Sequence, residues 1–272
     1  MSEIVSPQPA ATAAQRWALG LEYRGSAYCG WQRQADQPSI QEALEHALSA
    51  IATEPISIIA AGRTDTGVHA SLQIVHFETM VNREANAWMR GGNQFLPADV
   101  SIRWATPVDT QFHARFSARS RRYVYLLASQ PQRPGLNDGR VGWTHWPLEM
   151  SRIECALPSL WGTHDFTSFR AAECQAKSPI KTIHSATVAA HNHVLRFDFH
   201  ADAFLHHMIR NIMGALVYIG SGRQPTDWLR TLISQRDRKL AAPTFSPNGL
   251  YLAGIEYDPH FNIPETFVDP CL

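Results

Sequence analysis

The chain has 272 residues, 44% hydrophobic and 18% charged, and its 24 basic and 24 acidic residues cancel to a net charge of zero. This is the profile of a globular protein, and it excludes collagen, coiled coil and bulk disorder. The most apolar long stretch, residues 204–219, contains His206, His207, Arg210 and Asn211. A membrane span is therefore excluded as well.

Residues 1–15 are rich in small residues and proline, lack a secretory pattern and read as a flexible tail. WALGLEY, residues 17–23, alternates as a strand. Residues 39–51 form the clearest helix, with Ile40, Ala43, Leu44, Ala47, Leu48 and Ile51 on one face. Ser39 and Glu42 have the spacing of a capping box. Strands are predicted over 56–60, 72–77, 100–108 and 123–127. A helix is predicted over 82–90, capped by Asn82 and stopped by Gly91-Gly92. Residues 129–150, which hold Pro131, Pro134, Gly135, Gly139, Gly142 and Pro147, read as a linker. Beyond it come a helix from Ser151 and strands over 183–190 and 194–199, joined by a turn at His191-Asn192-His193. Helices over 204–219 and 226–234, the second capped by Thr226, and a closing strand over 250–257 complete the chain. The expected fold is α+β: two related halves, residues 16–128 and 151–272, sharing a mixed, mostly antiparallel central sheet. The helices lie on one face, with an active-site cleft between the halves.

The four cysteines form no CxxC pair, so reduced thiols and a cytoplasmic protein are expected. Only three of the basic residues are lysines, leaving 21 arginines, the side chain suited to bidentate phosphate contacts. Between Gln111 and Tyr125 stand Arg115, Arg119, Arg121 and Arg122 with no acid, interleaved with Phe112, Phe116, Tyr123 and Tyr125. A solvated face would explain the charges alone; planar and basic groups together suit nucleic acid.

AGRTDTGVHA, residues 61–70, sits at a strand end, where Gly62 and Gly67 permit tight turns and close approach of a ligand. If the segment is extended, Arg63 and Asp65 point to one face. A turn with a local ion pair would account for GRTD in isolation. No P-loop and no GxSxG are present. His191 and His193 lack a third ligand at a recognised spacing, and His206 and His207, adjacent on the expected helix, diverge. Asp65 remains the best candidate for a reactive group.

GRTDTGVHA resembles the catalytic stretch of the tRNA pseudouridine synthases of the TruA type. The segments YRGSAYCGWQRQADQPSIQEALEHAL (23–48), NQFLPADVSI (93–102), FHARFSARSRRYVY (112–125), GTHDFTSFR (162–170), FLHHMIRNIMGAL (204–216) and APTFSPNGLYL (242–252) are similar to that family in the same order. Thr66 departs from the pattern, since many members have alanine there. The resemblance implies an isomerase that converts uridine to pseudouridine in tRNA, at positions 38–40 of the anticodon stem-loop, as a homodimer. The reaction as the resemblance implies it requires no cofactor and no metal. Asp65 matches the essential aspartate and Arg63 the arginine that extrudes the target nucleotide. Tyr123 matches the tyrosine that stacks on the base, Arg210 the arginine that pairs with the carboxylate, and Leu250 the apolar residue under the base. Arg24, Arg33, Arg115, Arg119, Arg121, Arg122 and Arg170 are candidate RNA-backbone contacts. His69 is expected to stabilise a turn rather than do chemistry. The competing readings are a catalytically inactive tRNA-binding module and an Asp-dependent nucleoside hydrolase.

Overall fold

The computed structural model describes residues 14–191 and 194–270. The expected tail therefore lies almost wholly outside the described residues, as do Asn192 and His193 of the expected turn. The alternating opening forms β1 (Gln15–Tyr23). Ser39 caps α1 (Ile40–Ala52), its Oγ accepting the Glu42 amide at 3.3 Å. Thr53, at φ 57° in the left-handed region, ends that helix. The predicted strand over 56–60 shrinks to a two-residue β2 (Ile59–Ala60). β3 (His69–Thr79) extends the expected strand at both ends and is buried almost throughout, as a strand covered on both faces must be.

The helix expected over 82–90 is corrected. A π-helical turn, Ala87–Gly91, runs without a break into α2 (Gly92–Phe95), so the two glycines lie inside it and Asn82 outside. A Cβ on Gly91 would stand 2.7 Å from Ile51 Cδ1, and one on Gly92 2.5 Å from Ile102 Cδ1. The glycines serve close packing here rather than termination.

β4 (Val100–Val108), β5 (Ser120–Ser129), β6 (Gly142–Thr144) and α3 (Met150–Ala156) follow. Next come β7 (Gly162–Asp165), β8 (Ile180–His191) and β9 (Val194–Ala201). Then α4 (Met208–Gly220), α5 (Trp228–Gln235) and β10 (Leu250–Glu256) complete the elements used here. Two helix starts move. His207 takes φ 61°, which no α-helix interior allows, so α4 begins at Met208 and not at 204. α5 begins after Asp227, not Thr226, and has no side-chain cap.

All ten strands join one sheet in the order β4-β1-β3-β10-β5-β9-β8-β7, with β2 on β3 and β6 on β5. The α+β expectation and its mostly antiparallel sheet hold: only β3/β10 and β5/β6 are parallel. One core packs α1 and its neighbours on β1 and β3. A second packs α3, α4 and α5 on β5, β8 and β9. On β5, Tyr125 and Leu127 face that second core, while Val124, Leu126 and Ala128 face a third, smaller cluster with Val141 and Tyr251. Tyr123, one step earlier on the strand, packs against both the first and the second core. Among the described residues no helix is long and apolar enough to cross a membrane.

Candidate active site

The loop from Ala61 to Val68 links β2 to β3 and is fastened from beneath. Buried Gln73 donates from Nε2 to the Gly62 carbonyl at 2.6 Å. The Thr64 carbonyl accepts the Trp31 amide at 3.0 Å, and Thr64 Oγ1 lies 2.8 Å from the Tyr23 hydroxyl. The Val68 amide closes a turn onto the Asp65 carbonyl at 3.1 Å, with Gly67 at φ 79°. Thr64 is thus turned inward, and Arg63 and Asp65 face a cleft of about 920 Å³. Of the two glycines singled out in the sequence, Gly67 supplies the left-handed turn. Gly62 has an ordinary φ, and a Cβ there would meet nothing within 4 Å.

Asp65 is 17% exposed and sits among three nitrogens. Its Oδ1 lies 3.3 Å from His206 Nε2; its Oδ2 lies 3.5 Å from His207 Nε2 and 3.3 Å from Arg210 Nη1. Burial pushes the carboxyl pKa up. The His206 hydrogen bond and the charges of His207, His206 and Arg210 outweigh it, and the group lies below its ordinary value. The site therefore holds an ionised carboxylate away from bulk water. Arg210 is itself pinned: its Nε donates to the Phe245 carbonyl at 2.9 Å, and the Phe245 amide donates to the Arg210 carbonyl at 3.1 Å.

Tyr123 and Leu250 also line this cleft. The Tyr123 ring meets Phe204 edge-on at 5.1 Å. Burial, reinforced by the Tyr23 hydroxyl and the Asp65 charge, raises its phenol pKa, so it is a neutral hydroxyl. Leu250 is buried in the second core at the start of β10. Arg63 is exposed, with one long contact to Gln175 Oε1 at 3.4 Å. Asp65, Arg63, Tyr123, Arg210 and Leu250 are thus brought to one cleft.

The expectation that His206 and His207 diverge is overturned. Because His207 adopts the left-handed conformation, both imidazoles precede the helix and turn toward Asp65, with ring centroids 4.0 Å apart. The Asp65 hydrogen bond raises the His206 pKa, whereas burial lowers that of His207. No helical spacing signals this, since the left-handed His207 ahead of the helix sets both orientations. Asp65, His206 and His207 offer donor atoms within 4.8 Å of one another, and this trio is the group among the described residues that could hold a metal. Arg210 on the same carboxylate opposes a cation there.

The candidate backbone arginines separate. Arg115 and Arg121 line the cleft. Arg119 pairs with Asp258, Arg122 with Glu256 at 2.8 Å and Arg33 with Glu45 at 3.1 Å. Arg170 donates to the carbonyls of Cys174 and Ala176 at 2.6 and 2.9 Å, and Arg24 is exposed. His69 is buried away from Asp65. It accepts the Gly25 amide on Nδ1 at 3.1 Å and donates from Nε2 to Gly139 at 2.7 Å, and burial holds its pKa at about 4. Among the described residues Cys29, Cys155 and Cys174 are free thiols; Cys271 and the His191 side chain lie outside the description.

An ionised carboxylate on a fastened loop, paired with a pinned guanidinium in a cleft that a tyrosine and a leucine also line, is chemically suited to nucleophilic or general-base work on a ligand in the cleft. The tRNA pseudouridine synthase profile matches residues 21–117 and 156–258. The chain is 55% identical over 250 residues to tRNA pseudouridine synthase A of Dechloromonas aromatica, covering 92% of this chain and 95% of that protein. It is 54% identical over 246 residues to the Nitrosomonas eutropha protein of the same name, covering 90% and 89%. Against that of Pseudomonas aeruginosa it is 50% identical over 274 residues, covering 99% and 96%. The chain belongs to the tRNA pseudouridine synthase family.

Proposed function

We propose that this protein isomerises uridine to pseudouridine in tRNA, at positions 38–40 of the anticodon stem-loop, with Asp65 as the catalytic group. The observation that carries the reading is the Asp65 carboxylate on the wall of the cleft, kept ionised by the His206 hydrogen bond and the charges of His207, His206 and Arg210. In the reaction the N1–C1′ bond of the nucleotide breaks, the freed uracil turns, a C5–C1′ bond forms, and the C5 proton leaves as N1 gains one. A carboxylate in this position serves either attack on C1′ or elimination to a glycal. The atoms of the substrate balance without an external group or a redox change, so the step calls for no cofactor and no metal.

A stacked base hides C1′ and C5, and extruding it costs a few kcal/mol. Arg63, exposed and lightly held, takes the place of the flipped nucleotide. Tyr123 stacks on the uracil, and as a neutral phenol it serves as a proton relay rather than a phenolate base. Leu250 supports the base from below. Of the candidates for backbone contact, Arg24, Arg33, Arg115, Arg119, Arg122 and Arg170 remain, with Arg115 the best placed, while Arg121 is engaged by backbone carbonyls. The functional assembly is a cytoplasmic homodimer carrying one tRNA across both subunits, each subunit built from halves 16–128 and 151–272 around the 129–150 linker. The names of the relatives give no support to an inactive binding module or a nucleoside hydrolase.

The test is tRNA transcript labelled with tritium at uridine C5. Release of label by the wild type and its loss in Asp65→Asn is the expected result. A folded wild-type protein that binds tRNA and releases no tritium would falsify the assignment; free uracil and abasic sites would point to a hydrolase.

A further inference from the structure

Phe116 is 76% exposed, the most of any aromatic side chain among the described residues. Bare aromatic surface is costly in water. Here the loop is tied down on every side. The Ser117 amide donates to the His113 carbonyl at 2.9 Å, and Ser117 Oγ accepts the His113 amide at 3.0 Å. His113 Nδ1 accepts the amides of Arg115 and Phe116 at 3.2 and 3.1 Å. The Ala114 amide donates to His76 Nδ1 at 3.1 Å, and the Tyr257 hydroxyl donates to the Ala114 carbonyl at 2.7 Å. The His113 imidazole backs the Phe116 ring at 4.3 Å, 30° from parallel, while the rest of the ring faces solvent. Burial lowers the His113 pKa, so this backing ring is neutral.

The platform is also coupled to the reactive loop. Arg121 Nη2 donates to the Arg115 carbonyl at 3.0 Å and to the carbonyl of Ala61, the first residue of that loop, at 3.1 Å. Arg115 lines the cleft, and its guanidinium lies 5.6 Å from the Phe116 ring centroid. An aromatic face beside a cation that lines the cleft is an arrangement suited to an unpaired base, with the cation left for phosphate. A protein partner is the weaker fit. The cores of such interfaces are apolar and poor in charge, whereas the exposed residues that flank Phe116 along the chain include Gln111, Arg115 and Arg119.

We infer that Phe116 is a stacking platform for an unpaired nucleobase that flanks the target uridine outside the catalytic cleft. The inference rests on tRNA as the substrate. The experiment compares wild type with Phe116→Ala, Phe116→Leu and Phe116→Trp in tRNA affinity, kcat, KM and oligomeric state. Since the side chain is exposed, all four proteins fold. Loss of one stacked base is expected to weaken tRNA binding by about tenfold in the Ala and Leu variants. The loss appears in KM, with kcat at saturating tRNA nearly unchanged. Tryptophan restores binding, and its fluorescence is quenched by tRNA. Leucine rescuing as well as tryptophan, wild-type affinity in Phe116→Ala, or a variant that changes oligomeric state would each overturn the inference. The isomerase assignment is read separately, in tritium release by the wild type, and the ratio of affinities stands or falls without it.

Discussion

Replacing Arg121 by glutamine decides whether this arginine holds the protein together or holds RNA. Its guanidinium donates to three carbonyls at 3.0 to 3.1 Å, those of Asp202, Ala61 and Arg115, and reaches a fourth, Ala118, at 3.4 Å. No carboxylate is among these partners. Burial lowers its pKa, so the charge is already partly desolvated and solvated by backbone dipoles instead. Hydrogen bonds from a charged group contribute about 1.5 kcal/mol each at the low end. Three of them, reduced by the relief of a partly buried charge, give a loss of about 3 kcal/mol in Arg121→Gln. For a protein of this size that corresponds to a fall in Tm of roughly 6–12 °C. Urea denaturation and the salt dependence of tRNA binding together provide the assay. Arg121→Gln should lower the denaturation midpoint and leave the salt slope unchanged. Arg115→Gln should do the reverse: stability within about 0.5 kcal/mol of wild type, and a salt slope smaller by about one phosphate contact. An Arg121→Gln protein of full stability with a shallower salt slope would refute the reasoning, because it would make the four carbonyls incidental and the RNA contact real.

Lysine at position 210 cannot span the Phe245 carbonyl and the Asp65 carboxylate together. Arg210→Lys should cut kcat by at least about tenfold with tRNA affinity little changed. Because the Arg210 charge helps to depress the Asp65 pKa, Arg210→Gln, which removes that charge, should move the acid limb of activity to higher pH; a limb that stays put in a pH profile would count against the pairing. His69, buried with a pKa of about 4 against 6.5 in the unfolded chain, contributes stability that is complete above pH 6.5. Below that pH the unfolded chain binds more protons than the native one, so about 3 kcal/mol is lost from His69 alone by pH 4. His76, also lowered to about 4, adds to the loss, and stability flat from pH 7 to 4 by urea denaturation would contradict both. At Gly249, with φ +90°, a Cβ would stand 2.3 Å from the Leu126 carbonyl oxygen and 2.4 Å from the Gly142 nitrogen. Gly249→Ala should therefore cost at least about 3 kcal/mol, whereas Gly62→Ala, with open space at its Cβ, should denature as the wild type does.

Local pattern carried far where one element decides its own fate. β4 was legible to the residue because Val100, Ile102 and Trp104 alternate toward the core, and Ser39 announced its cap. The pattern misled where a distant contact or a single backbone angle decides. Leu205 keeps helical step with Met208 and Ile209, so residues 204–207 looked helical, and one left-handed residue at His207 turned two histidines onto Asp65. Gly91-Gly92 looked like a stop because their neighbours, Ile51 and Ile102, are remote in sequence. Four aromatics interleave the arginines of 112–125, yet Phe112 and Tyr125 are core residues and Phe116 is bare. Burial of that kind is settled by strands more than a hundred residues away. Asp65 stood out by elimination; the roles of Arg63, Tyr123, Arg210 and Leu250 came from resemblance, since each alone reads as an ordinary surface or core residue.

The position of β10 explains why those residues meet. It comes from the C-terminal part of the chain but lies between β3 and β5. Its parallel pairing with β3 spans two residue pairs, Tyr251 with His69 and Leu252 with Ala70. Parallel strands begin at the same end, so the loop holding Asp65 and the segment holding Phe245 enter the sheet side by side. Phe245 fixes Arg210, and Arg210 reaches Asp65. On the other flank, β10 pairs Leu252 with Tyr123 and Leu250 with Tyr125, which sets the cleft-lining Tyr123 and Leu250 on adjacent strands. Tyr123 packs on both large cores. The Asp65 loop is fastened from beneath by Gln73 and Trp31, while its carboxylate is held by His206, His207 and Arg210, from beyond the chain's midpoint.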